Sequence, residues 1–292
     1  MEAVILLAHG APENLEKVEE YVLRIRHGRP LAPDLMNTIR ERYKLIGGSP
    51  LLEWTERQAS GLQELLRHGS DLRKVYFGMR HSAPFIKNTV DQMISEGVTF
   101  ATAICLAPQF SRLTIGAYRS ALEEAIGGRN MTFKMVSSYA KHPALVRAFA
   151  ARLEDALQGH PGAFVVFTAH SLPERVLAEG DPYEYEVKET ALNVARACRL
   201  PDWRFAYQSQ GMTSEKWLGP SVELRLLELV SKGVAEVIVM PIGFVCDHVE
   251  VLYDIDIQYR QDAAAKGITL HRPASLNDSP LFLELLSQLS AR

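Results

Sequence analysis

Short apolar runs rich in β-branched residues alternate with longer stretches of helical periodicity along this chain of 292 residues. The short runs predict strands over 3–8, 73–78, 100–106, 131–136, 163–169, 203–208 and 235–241. The longer stretches predict helices over 12–25, 34–45, 50–67, 84–96, 114–126, 143–158, 184–198, 220–232 and 278–290. Alternation of this kind builds βαβ units, so the expected class is α/β with parallel sheets. Parallel sheets twist and are covered by helices on both faces.

The pattern repeats coarsely. Ile104-Cys105-Leu106-Ala107-Pro108-Gln109-Phe110-Ser111 ends a strand in the first half, and Val239-Met240-Pro241-Ile242-Gly243-Phe244 ends one at a similar place in the second. Each is an apolar strand followed by a proline and an aromatic residue. Two similar α/β domains with a cleft between them is the economical expectation. The first would span 1–141 and the second 142–270, with a terminal helix in 271–292 placed to pack back on the first. Residues 9–50 break the rhythm by placing two helical patterns between the first two strands. This insertion carries Arg24-Ile25-Arg26-His27-Gly28-Arg29-Pro30 and the turn Ile46-Gly47-Gly48-Ser49-Pro50. A basic cluster followed by such a turn fits a lid over an anionic ligand; a solvated helix end, where cations favour the dipole, is the plainer alternative.

Composition removes several function classes. A net charge of -3 lacks the basic excess of a nucleic-acid footprint. Cys105, Cys198 and Cys246 show no C-x-x-C spacing, so no iron–sulfur cluster or four-cysteine zinc site is expected. Their number fits a reducing compartment without structural disulfides. The opening Met1-Glu2-Ala3-Val4-Ile5-Leu6-Leu7-Ala8-His9-Gly10 has no basic n-region. No run approaches the roughly 20 apolar residues that span a bilayer, so a cytoplasmic protein is expected. There is no G-x-G-x-x-G after the first strand, no P-loop and no G-x-S-x-G elbow, hence no sign of NAD, nucleotide triphosphate or a serine nucleophile.

Two strand ends carry candidate chemistry. Ala163-Phe164-Val165-Val166-Phe167 runs into Thr168-Ala169-His170-Ser171-Leu172-Pro173-Glu174, putting an imidazole at the carboxyl edge where open α/β sheets keep their ligands. The second edge, after Val237-Ile238-Val239-Met240-Pro241, crowds Asp247, His248, Glu250, Asp254 and Asp256 into ten residues. In a helix from 248 onward, Glu250, Asp254 and Ile257 would share one face. Acidic residues so spaced repel one another unless a cation or solvent screens them. Histidine beside carboxylate suits borderline divalent ions, and His9 and His248 are further candidates. The plainer alternatives are a hydrogen-bonded structural histidine and an acidic helix start favoured by the dipole.

At these residues the chain resembles the ferrochelatases, and the resemblance covers nearly its whole length. It is carried by Tyr43-Lys44-Leu45-Ile46-Gly47-Gly48-Ser49-Pro50-Leu51, Leu106-Ala107-Pro108-Gln109-Phe110-Ser111, Ala169-His170-Ser171-Leu172-Pro173, Gly180-Asp181-Pro182-Tyr183, Trp217-Leu218-Gly219-Pro220 and Asp247-His248-Val249-Glu250-Val251-Leu252-Tyr253-Asp254. Arg26-His27-Gly28-Arg29 and Gly78-Met79-Arg80-His81-Ser82-Ala83-Pro84-Phe85 resemble the monomeric coproporphyrin-using branch of Gram-positive type. The resemblance implies two Rossmann-like domains around a porphyrin cleft and insertion of Fe2+ into a porphyrin with release of two protons, in haem biosynthesis. Porphyrin and ferrous iron are then the partners, as substrates, and no separate cofactor is implied. It implies His170 and Glu250 as the catalytic pair and metal contacts at His170, Glu250, His9 and Asp254. The porphyrin would be lined by His9, Arg26, His27, Ser49, Arg80 and Tyr118. Two positions depart from the closest branch: His9 stands where that branch has a tyrosine, and Gln258 where relatives often have a glutamate. Leu7-Ala8-His9-Gly10 also resembles the cobalt chelatases of the corrin pathway. The rival expectations are therefore a cobalt or nickel chelatase acting on a sirohydrochlorin-type ring, and a non-catalytic haem or metal carrier.

Overall fold

The computed structural model of the chain describes residues 1–211 and 215–291, so the final residue of the expected terminal segment lies outside the described residues. The first half opens with β1 (Glu2–Ala8), whose residues Ala3 to Leu7 are fully buried on both faces. A 3-10 turn over Leu15–Lys17 follows, capped by Asn14, then α1 (Val18–Ile25) and α2 (Pro33–Leu45). The expected helix over 12–25 is thus divided: Asn14 takes extended backbone and its side chain accepts the Lys17 N–H, so a new helical start forms inside the stretch. The half continues with α3 (Leu51–His68), β2 (Lys74–Met79), α4 (Ile86–Ser95), β3 (Phe100–Cys105), a π-helical turn over Arg112–Gly116, α5 (Ala117–Ile126) and β4 (Thr132–Val136). Helix α5 stops at Gly127, whose left-handed φ of 54° gives the carbonyl-capping turn that a side chain would strain.

The second half repeats the plan. It comprises α6 (Pro143–Gly159), β5 (Phe164–His170), α7 (Arg175–Ala178), α8 (Tyr183–Ala197), β6 (Trp203–Gln208), α9 (Val222–Ser231) and β7 (Glu236–Pro241). Then come α10 (Val249–Leu252), a π-helix over Asp254–Tyr259, α11 (Arg260–Ala264), β8 (Thr269–His271) and α12 (Pro280–Ser290). Strand β8 was not expected: three residues are too few to show a strand period, and pairing to β7 holds it in place.

All strand pairs are parallel, and the two four-stranded sheets have matching orders, β2-β1-β3-β4 and β6-β5-β7-β8. In both, the chain leaves the central strand to one side and returns to the other. The carboxyl ends of β1 and β5 therefore lie at topological switch points, where the connecting loops diverge and leave a crevice.

One hydrophobic cluster joins the halves: Val4, Leu6 and Ile104 of the first sheet, Leu62 of α3, Phe149 of α6, Phe167 of β5 and Phe282 of α12 belong to it. Helix α12 packs against α3 and α6. Arg57 of α3 reaches Asp278 at 2.7 Å, and Gln58 donates to the Asn277 carbonyl at 2.8 Å. Phe282 is fully buried, so truncating it to alanine would cost about 3–5 kcal/mol through lost burial and the cavity left behind. The outer faces carry their own clusters, with α4 and α5 over the first sheet and α9 and α11 over the second. Helices α1 and α2 form a small separate cluster around Tyr21 and Tyr43. Among the described residues no helix is long and apolar enough to cross a membrane.

Candidate active site

His170 is the last residue of β5, held from both directions. The Tyr183 hydroxyl donates to its carbonyl at 2.8 Å, while its ring Nδ1 lies in hydrogen-bond contact with the Ser171 carbonyl. A carbonyl only accepts, so Nδ1 carries a proton and Nε2 is the reactive nitrogen. Nε2 stands 3.5 Å from Oε1 of Glu250. The loop that brings Glu250 there passes very close to β5: a Cβ on Gly243 would sit 2.9 Å from the Ala169 Cβ and 3.0 Å from its Cα. Glycine at 243 is thus a condition for the histidine and carboxylate to meet.

Glu250 lies in the first turn of α10, where free backbone N–H groups favour a carboxylate. Its carbonyl accepts from the Gln208 amide at 2.8 Å, and Gln208 Oε1 accepts from Thr168 Oγ1 at 2.7 Å, tying α10 to the ends of β6 and β5. Burial would raise the Glu250 carboxyl, but His170, His248 and His9 outweigh it and hold it at about 2. Burial would lower His170, and the adjacent Glu250 carboxylate overrides it, leaving the imidazole above its ordinary value. The two shifts are one interaction: an anion that stabilises an imidazolium beside it.

Asp254 follows on the same wall and is 6% exposed. It accepts from the Ser209 hydroxyl, and Arg42 of α2 approaches it at 3.7 Å while stacking over Tyr253. Burial and then Glu250 push Asp254 up to about 6. The segment is not the single helix that the spacing suggested. Helix α10 ends at Leu252, and the Gln258 N–H bonds five residues back to the Tyr253 carbonyl, opening a π-helix at Asp254. Asp247 and Asp256 turn away into a structural knot. Arg272 pairs with both Asp256 oxygens at 2.8 and 2.7 Å, and Ser275 and Asn277 bond Asp247 at 2.7 and 2.9 Å.

The facing wall belongs to the first half. His9 follows β1 directly, as His170 closes β5, and each comes after an alanine, Ala8 and Ala169. Gly10, at φ 96°, makes the next turn possible: a Cβ there would meet Ser82 Oγ at 2.4 Å. His9 Nδ1 lies 3.0 Å from the Tyr21 hydroxyl, which donates to the Gly10 carbonyl at 2.8 Å. Since that hydroxyl proton is committed, Nδ1–H donates and Nε2 of His9 keeps its lone pair. The residue is solvent-accessible, with protein crowding the ring from several sides. Burial lowers His9 to about 4, although Glu250 opposes the shift. His81 lies 4.6 Å away, centroid to centroid, and burial followed by His9 and Arg80 lowers it to about 3. Burial also lowers His248, whose Nδ1 is buried without a hydrogen-bond partner. At neutral pH His9, His81 and His248 are therefore uncharged donors with lone pairs.

The remaining expected site residues divide. Arg80 leaves β2 beside His9, its N–H donating to the Ala8 carbonyl at 3.0 Å. Tyr118 is 6% exposed and packs in the core under the first sheet. Ser49 lies two residues before α3, and its hydroxyl accepts from the Leu51 N–H at 3.4 Å. Arg26 bonds within its own loop to the Arg29 carbonyl, and His27 is exposed with a φ of 53°. Arg24 is nearer the cleft: it pairs with Glu20, donates to the His81 carbonyl at 2.9 Å and stacks over Phe85. Sequence reasoning assigned no role to His81, Tyr21, Tyr43 or Arg42; their positions follow from the fold of the insertion, which no local spacing announces.

Comparison with known proteins gives the family and the fold. The ferrochelatase family model matches residues 1–292. A ferrochelatase of Acidobacterium capsulatum is 42% identical, covering 99% of this chain and 93% of its own. A coproporphyrin III ferrochelatase of Halalkalibacterium halodurans is 36% identical over 97% of this chain and 94% of its own. Among solved structures, SirB from Bacillus subtilis with Fe3+ superposes with a TM-score of 0.63 at 12% identity, covering 99% and 96% of the two chains, a likeness of fold. With whole-length matches in sequence, the chain belongs to the ferrochelatases, the porphyrin metal chelatases of haem biosynthesis.

Proposed function

We propose that this ferrochelatase inserts Fe2+ into coproporphyrin III, with His170 as the proton acceptor and His9 as the metal-facing ligand of the opposite wall. The observation that carries the reading is the His170–Glu250 pair, 3.5 Å apart, raised in basicity on one side and held anionic on the other. A porphyrin must lose two pyrrole protons as a dication enters. His170 Nε2 takes a proton from a pyrrole N–H, and the fixed Glu250 charge stabilises the imidazolium that forms. Asp254, pushed up to about 6, can take up and release a proton near neutrality, giving an exit toward solvent. Glu250, at about 2, stays charged and acts by its field. Uncharged imidazoles at His9, His81 and His248 suit a borderline divalent ion, because imidazole ligates only when neutral. Holding the macrocycle off planarity would expose its nitrogens, using binding energy from its periphery.

The preference for coproporphyrin is supported by the name of the relative above and by the cations Arg26 and Arg29 on the loop after α1. Among the described residues Arg26 and Arg29 form no ion pair with a carboxylate of the chain. Coproporphyrin carries four propionates and protoporphyrin two. Charge-assisted contacts are worth about 1.5–3 kcal/mol when well made. Anaerobic insertion of Fe2+ followed by absorption tests this. Higher kcat/KM on coproporphyrin III than on protoporphyrin IX is expected, and Arg26→Ala should raise KM by about tenfold or more for coproporphyrin only. Equal KM changes for both porphyrins, or none, would remove these cations from substrate choice.

A further inference from the structure

At the opposite end of the second sheet from the cleft, three residues from three elements converge. His160 closes α6, Glu236 opens β7 and His271 ends β8. The register pairs His271 with Ile238, and in a strand residues two apart share a face, so Glu236 and His271 lie on the face that α6 covers. His160 Nδ1 is 3.7 Å and His271 Nε2 3.3 Å from the same Glu236 oxygen, and all three ligand atoms lie within 4.8 Å of one another. The His271 contact lacks hydrogen-bond geometry, which leaves its Nε2 buried and without a partner. The two imidazoles stack with centroids 3.4 Å apart and planes 19° from parallel.

A tetrahedral ion with bonds of about 2.1 Å separates its ligand atoms by roughly 3.4 Å. The two nitrogen–oxygen spacings are close to that, and ligation requires the stacked rings to rotate so that both ring planes meet at the ion. A buried ring nitrogen without a hydrogen-bond partner is costly, and ligating a cation would satisfy it. Two imidazoles and one carboxylate form a donor set for Zn2+, Co2+, Ni2+ or Fe2+ rather than Mg2+ or Ca2+. The exposed side of Glu236 leaves an entry path and an open coordination position for water. We propose that His160, Glu236 and His271 form a second divalent transition-metal site, separate from the insertion cleft. Strand β5 has seven residues at about 3.3 Å each, so the two sites stand roughly 20 Å apart. An ion there would clip the edge strand β8 and the end of α6 to β7, a cross-link whose binding energy adds to folding stability.

Titrating Zn2+ into metal-free protein by calorimetry, with wild type, His271→Ala and Glu236→Gln side by side, tests this. Each variant should take up one equivalent less than wild type and lose the part of the Zn2+-induced rise in Tm that this site supplies. Insertion rates should stay within about twofold, because none of the three residues faces the cleft. Glu236→Gln, at an exposed strand start, keeps the test open if His271→Ala fails to fold. Unchanged stoichiometry in the variants would overturn the proposal. Loss of insertion in well-folded variants would overturn the separation of the two sites.

Discussion

Replacing Glu250 with glutamine removes one charge and little volume, and its consequence for His170 can be worked from the structure. At 3.5 Å the pair interacts by roughly 1 kcal/mol if screened as in bulk water and by about 5 kcal/mol at an effective dielectric of 20. The side chains are 31% and 34% exposed, which places the effect between these limits. An interaction of that size is enough for Glu250 to hold His170 above its ordinary value against burial. In the variant, burial acts on His170 unopposed and its pKa falls.

The base must be neutral to accept a pyrrole proton, so the acidic limb of kcat/KM follows His170. In wild type that limb lies above the ordinary histidine range, since the shift is upward. In Glu250→Gln it should move to lower pH, while the plateau drops tenfold or more as the imidazolium loses its counter-charge. The assay is anaerobic Fe2+ insertion across the pH range, with His170→Ala as the control in which the limb disappears. An acidic limb at the same pH in wild type and Glu250→Gln would refute the coupling, whatever happened to the plateau.

Two further outcomes are expected. If His9 is a ligand, His9→Ala should change the visible and spin-state spectrum of bound iron porphyrin and speed product release, and His9→Tyr should give a phenolate-like spectrum; identical spectra for all three proteins would make His9 scaffold. Asp254 is raised from 3.8 to about 6, so the folded state favours its protonated form and loses up to about 3 kcal/mol of stability as pH climbs through that window. Asp254→Asn should therefore raise Tm at pH 8 by roughly 6–12 °C at about 2–4 °C per kcal/mol, with no gain near pH 4, and slow insertion; an unchanged Tm at pH 8 would show that the carboxylate is not strained.

Among the described residues seven of the eight strands were legible. The central strands β1, β3, β5 and β7 are buried on both faces and largely apolar, and the more exposed β2, β4 and β6 still carry short β-branched or aromatic runs between turn signals. That pattern located His9 and His170, since both stand where a buried run stops. Glu250, nine residues past the end of β7, was legible only as one of the crowded acidic residues there, with its role implied by the resemblance. The orientation of its neighbours was not legible: which of Asp247, Asp254 and Asp256 faces the cleft depends on the π-turn at Asp254 and on Arg272, sixteen residues beyond Asp256. Tyr118, implied as a lining residue by the resemblance alone, sits on the buried face of α5, where periodicity by itself does not separate a core tyrosine from a lining one. The trio His160, Glu236 and His271 leaves no local trace, because three separate elements deliver it.

The matching order of the two sheets gives the site its electrical asymmetry. Each half brings one histidine to its switch point, yet their surroundings differ in sign. Around His9 the neighbours are His81, Arg80 and the Tyr21 hydroxyl, and burial outweighs the opposing Glu250 charge and leaves the imidazoles neutral. Around His170 they are Glu250 and Asp254, which favour its protonated form. A flat macrocycle lying between the walls would meet uncharged nitrogen donors on one face and a proton acceptor with a fixed anion on the other. Metal entry and proton departure then need not compete for the same side chain, since a protonated imidazole cannot ligate and a ligating one cannot accept a proton. On this reasoning, exchanging the electrostatic surroundings of His9 and His170 would disable insertion even with both histidines kept.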